Sequence, residues 1–350
     1  MSRTTCAPGS RKRSTWRWAR PTWKRSPTRT TAPARSDHPR RRTLPPYGRF
    51  QTAPGRRLAV RRSARLATTG RAVADRAGPA MTPTPFQQRR RQPLLNEDYY
   101  LFYNDHVRTH TMADIEHALL HGELSDEMRW LEYRRKADEL YEMMVRDYTA
   151  GQPIGEFRER LGAVVAAYQD AAHFNRIFEN EPAMPLFDFR YKDDYVRVVD
   201  LVSLPILLHR EDLIPAVHSL FKGGAPDEND ALIEDLLGKY LPDRPYLEDS
   251  YQPVPYGILL DATAQTPMEE KQEDIALFLD AWYPAMQGVG WYDCHKHQSP
   301  DGAGGHFGYW TFDAAAVAYL YEVDDTPFRE HPHYPKDLAD FARSMPRAKI

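Results

Sequence analysis

The sequence predicts an all-α protein, two packed helical domains preceded by a disordered basic segment. Three observations carry that prediction. In residues 81–350 the apolar side chains recur at offsets of three and four, the spacing of a buried helical stripe. No hairpin dipeptide lies between alternating apolar runs, so little sheet is expected. The charge also changes sign along the chain. Residues 1–80 hold 21 basic residues against Asp37 and Asp75, a net +19, whereas residues 81–350 hold 26 basic against 47 acidic, a net −21. Such a break separates physically different segments.

The first segment has no Glu, Ile or Asn and no apolar period, so no face of it could bury itself. Residues 1–95 are expected to be disordered, and the preferred reading is an extension upstream of a start at Met81. Two others stay open: a basic nucleic-acid-binding arm through Arg40-Arg41-Arg42 and Arg56–Arg65, and an Arg-rich, acid-poor transit peptide.

The helices follow in order. Asn96 is a fitting N-cap for a helix over 96–121, with Glu97 and Asp98 in its first turn and Gly122 at its end. Ser125 caps the next, whose stripe Ala137, Leu140, Tyr141, Met144, Val145 and Tyr148 stops at Gly151. A third starts near Pro153 and presents Phe157, Leu161, Val164, Val165, Tyr168 and Ala172. Tyr195–Leu208 is apolar nearly all round, which suits a buried helix that Pro205 kinks or ends. Shorter helices are expected at 211–221 and 228–240, then a proline-rich connector over 241–255. Pro267–Met286 carries Ile275, Phe278, Leu279, Trp282, Tyr283 and Met286 on one face. A glycine-rich loop over 288–308 leads into a last helix at Tyr309–Tyr321. The domains are set at 96–210 and 211–342.

Two cysteines, Cys6 and Cys294, exclude a disulfide scaffold and suit a reducing compartment. No apolar run is long enough for a membrane span, and the start lacks a signal-peptide pattern. Cys294, His295, His297 and His306 could serve a zinc site or a cysteine hydrolase, but their spacing matches no recurrent metal motif, and structural or hydrogen-bonding roles are preferred. Gly302–Gly305 lacks the Gly-Lys-Ser/Thr of a phosphate loop. The carboxylates are the stronger signal. Eight acids over 227–249 and five over 269–280 add to a field that repels nucleic acid and attracts basic proteins. Asp324-Asp325 is a further pair, suited to a turn or to chemistry.

The C-terminal third carries a resemblance. Trp291-Tyr-Asp-Cys-His-Lys296, Phe307-Gly-Tyr-Trp-Thr-Phe-Asp-Ala-Ala-Ala316, Asp324-Asp-Thr-Pro-Phe328 and His331-Pro-His-Tyr-Pro-Lys-Asp-Leu338 resemble the PoNi immunity proteins, which act against PoNe-type DNase toxins of polymorphic, type VI-type secretion systems. Residues 96–210 are similar to the N-terminal domain of the same family, with weaker motifs. Asp313 stands where Glu is found as often, and His297 and the Ser299–Gly305 insertion are less typical. The resemblance implies a two-domain α-helical immunity protein of the bacterial cytoplasm, without catalytic residues, cofactor or metal, that binds a basic DNase effector. Charge mimicry of DNA would let the acidic body occupy the toxin's cationic groove. The candidate contacts are Glu234, Asp235, Glu270, Glu273, Asp313, Asp324 and Asp325. Trp291, Gly308, Tyr309, Trp310, Phe312, Phe328, Tyr334 and Pro335 are expected to be structural. Trp310 and Phe312, placed on one helix, would project about 200° apart.

Overall fold

The longest helices among the described residues form a hairpin. Helix α4 (Asp126–Thr149) is capped by the Ser125 hydroxyl, which accepts from the Met128 N–H at 3.3 Å. Its apolar stripe faces that of α5 (Ile154–Glu179), and Tyr141, Val145, Leu161 and Tyr168 are almost fully buried. The four-residue connection makes the two antiparallel. The computed structural model describes residues 83–299 and 304–346, and among these all regular structure is helical, with no strand. Residues 1–82 of the segment expected to be disordered over 1–95, residues 300–303 of the glycine-rich loop and residues 347–350 lie outside the described residues.

Upstream of the hairpin lie α1 (Pro85–Arg89), α2 (Glu97–His106) and α3 (Met112–His121). The Asn96 cap forms as expected, accepting from Tyr99 N–H at 3.2 Å. The single helix expected over 96–121 is interrupted by a π-helical turn, Val107–Thr111.

The expectation of disorder up to residue 95 needs correction where the chain is described. Thr84 and Gln87 form a reciprocal capping box on α1, and Phe86, Gln92 and Leu95 are buried. Few apolar residues anchor the segment, Phe86 and Leu95 against Tyr99, Tyr100 and Ala150, and its other ties run from side chain to backbone, so its composition misled.

Helix α6 (Lys192–Leu207) is the spine. Every residue from Tyr195 to Leu208 except Arg197 is buried, because α11 (Phe312–Leu320) packs across one side while α4, α7 (Ile214–His218) and α8 (Ala231–Leu237) cover others. Pro205 sits in the final turn, and the helix ends two residues later. Helices α9 (Pro253–Asp261) and α10 (Met268–Ala285) pair beside it, and α12 (Lys336–Ser344) closes the chain against α6 and α11. One apolar cluster runs from Ala137 to Ala342, so no break in the core marks the expected division at 210/211. Residues 253–261 and 336–344 are helices that the sequence reading did not assign. The last expected helix starts at Phe312, and Tyr309–Thr311 form its non-helical approach.

Candidate functional site

The approach to α11 shows what the C-terminal motif does. Gly308 lies at φ +123°, and a Cβ there would fall 2.2 Å from the Thr149 Oγ1 of α4, so only glycine fits. The backbone can thus pass close enough for the Trp310 indole to donate to that same Oγ1 at 2.9 Å, while the Thr149 hydroxyl lies 2.6 Å from the Phe307 carbonyl. Phe312 enters the core against Tyr148 and Phe157, with ring centroids 5.9 and 6.1 Å away. Trp310 precedes the helix rather than riding on it, so the helical angle between the two rings does not apply.

The N-terminal segment clasps this layer. The Gln92 side-chain amide accepts from Tyr309 N–H at 2.9 Å and donates to the Tyr309 and Pro332 carbonyls at 2.6 and 2.9 Å. Arg91 stacks on Tyr148, donates to the Tyr148 and Gln152 carbonyls, and pairs with Asp337. Further on, Tyr334 packs edge-on against Phe328, and Trp291 stacks on Trp282. Pro335 is buried just ahead of α12. These motif side chains are packed or hydrogen-bonded within the fold.

The acidic candidates divide sharply. Glu234 is buried and holds Arg244 through two bonds of 2.6 Å, while Asp227 accepts from the same guanidinium at 2.7 Å and lies 2.8 Å from the His218 ring. Asp325 is buried and accepts from Tyr334 at 3.0 Å and Arg343 at 2.6 Å. Asp313, in the first turn of α11, is buried, and its carboxyl is pushed well above the usual range by burial and by Asp200 nearby. These three carboxylates are buried in the folded protein: Glu234 holds the buried Arg244, Asp325 is covered by Tyr334 and the surface Arg343, and Asp313 sits where burial disfavours its charge.

Asp235, Glu270, Glu273 and Asp324 do lie at the surface, the first two half-buried and the others exposed. The structure brings their segments together. The Gln272 amide on α10 donates to the Asp324 carbonyl at 2.8 Å. Lys239, just beyond α8, and Lys271 on α10 both lie over the Tyr321 ring, at 4.4 and 5.3 Å. Asp235 accepts from the Thr263 hydroxyl at 2.6 Å. The end of α8, the start of α10 and the turn after α11 thus form one end of the fold. Exposed Glu269 and Glu322 share it. Glu322 was missed by the sequence reading; its one signal was its place beside the Asp324-Asp325 pair.

Burial shifts the titratable groups of the cysteine–histidine segment. Burial raises the Cys294 thiol above its ordinary pKa, the opposite of what a nucleophile needs. His306 is buried with neither ring nitrogen hydrogen-bonded, and burial lowers it to about 3. His295 lies 2.9 Å from the Tyr309 hydroxyl, and His297 is exposed. Among the described residues no group of three or more His, Cys, Asp or Glu side chains is placed to hold a metal ion, and no helix is long and apolar enough to cross a membrane.

Residues 228–338 match the family described as PoNe immunity proteins (PoNi), C-terminal. The chain carries the PoNi C-terminal domain and with it an immunity role in general, which implies a toxin partner. The crystal structure of protein PA2201 from Pseudomonas aeruginosa is similar in fold, with a TM-score of 0.57 at 19% identity, covering 73% of this chain and 91% of that one. No curated protein matches the chain.

Proposed function

We propose that the protein binds and neutralises a cognate DNase toxin in the bacterial cytoplasm, by binding rather than by catalysis, and that the end formed by α8, α10 and the turn after α11 is its contact surface. The observation that carries this reading is convergence. Asp235, Glu269, Glu270, Glu273, Glu322 and Asp324 come from three separated segments and share one end of the fold. A DNase must present a cationic groove to its substrate, and such a surface complements it without offering a phosphodiester. Stopped-flow association with the co-purified toxin tests this. The rate should fall steeply with added salt, and reversing Glu273 and Asp324 to Lys should lower it further while dissociation changes less. An association rate indifferent to salt would remove the electrostatic mechanism. A steep salt dependence untouched by the reversal would place the contact elsewhere.

A further inference from the structure

The arm formed by α2, the π-helical turn and α3 carries chemistry that toxin binding does not use. His106, His110, His117 and His121 are all exposed on it. They form two pairs spaced four residues apart, and the structure brings each pair together. The imidazole centroids of His106 and His110 are 5.0 Å apart, and so are those of His117 and His121, with interplanar angles of 53° and 56°. Ile115 and Val107 supply the buried side of this stretch, and the His106 ring also stacks on Phe102, with centroids 5.8 Å apart.

Two histidines one helical turn apart are a recurrent way of presenting two nitrogens to one divalent ion. With metal–nitrogen bonds of about 2.0–2.1 Å and tetrahedral angles, two imidazoles on a single ion have centroids roughly 5 Å apart. Both pairs already stand at that separation. Imidazole favours zinc, copper and nickel over magnesium or calcium, which prefer oxygen.

We propose that the α2–α3 arm binds divalent transition-metal ions at two surface sites, one held by His106 and His110 and the other by His117 and His121. Each pair supplies two ligands and leaves the remaining positions to water. These sites are distinct from the Cys294–His306 segment, and the proposal is independent of how the toxin is bound.

Zinc alone is the probe, added to the full-length, untagged chain. Isothermal titration should show two sites that are lost stepwise, one in His110→Gln and both in His110→Gln/His121→Gln. All four residues are exposed, so the variants should keep the helical circular dichroism of the parent. Zinc should also perturb the ring resonances of these four histidines, and the double variant should lose those shifts. Magnesium should give neither signal. Unchanged zinc stoichiometry in the double variant, or ring shifts confined to other histidines, would overturn the assignment. Loss of both sites on replacing Cys294 and His297 instead, with the arm intact, would also overturn it.

Discussion

The stretch 227–249 and the first half of α10 look alike in sequence, each a run of acids with few bases, yet their carboxylates do different things. In the first, Asp227 and Glu234 close on Arg244 and Asp230 caps α8, so three of the five acids over 227–235 are turned inward while Glu228 and Asp235 stay at the surface. In the second, Glu269 and Glu273 face solvent. The difference lies in what surrounds each run. A single arginine in a connector can draw two acids into the interior, whereas an amphipathic helix sends its acids outward because the opposite face is occupied by Ile275, Phe278 and Trp282. Net charge alone therefore says little about which acids a partner meets.

The largest effect should come from breaking the inward cluster. Arg244→Ala leaves Glu234 and Asp227 without their cation in a buried site and should cost about 3–5 kcal/mol of unfolding free energy, measured by urea titration. A loss under about 1 kcal/mol would mean that the two regions are not different after all.

A third kind of acid sharpens the contrast, one buried without a salt bridge. Asp200 accepts from the Tyr141 hydroxyl at 2.5 Å, and burial pushes its carboxyl up to about 7. In the unfolded chain it would release its proton near 4. Between those values the folded state holds more protons, so this group's stabilising contribution is full at low pH and is lost as pH rises through about 7. Asp200→Asn should flatten the fall of stability between about pH 4 and pH 7 by at most about 1.4 kcal/mol per pH unit. Chemical denaturation across that range would read it, and an unchanged slope would show the carboxyl ionised in the fold.

The smallest effect on stability should come from the outward acids. Glu273→Lys with Asp324→Lys should change unfolding free energy by no more than about 0.5 kcal/mol per site, while the association rate with the toxin falls. A large destabilisation would show that these residues too serve the fold.

Much of the fold was legible because it rests on apolar periodicity. The stripes of α4, α5 and α10 and the caps Asn96 and Ser125 stand where the sequence placed them. Helix α9 was hidden by the prolines at 253 and 255, and α12 by its shortness within a stretch read as motif. Residues 83–95 were hidden because Arg91 and Gln92 bind backbone atoms, and backbone partners leave no pattern in a sequence. The acidic surface was legible as a total only. Which acids are outward depends on where Arg244, Arg343 and Tyr334 arrive in space.

The Gln92 clasp has a consequence in time. Its partner Tyr309 lies 217 residues further along the chain, and Asp337, the partner of Arg91, lies 246 residues from it. At ribosomal speeds of about 5–20 residues per second, these contacts cannot close until roughly 10 to 50 seconds after their first half is made. Through that interval α1 and Leu95 have emerged, but the backbone that holds Gln92 does not yet exist. The segment can settle on α4 through Arg91 early, but its clasp on the C-terminal third is among the last contacts to form, and any agent that captures Gln92 in the interval competes with that closure.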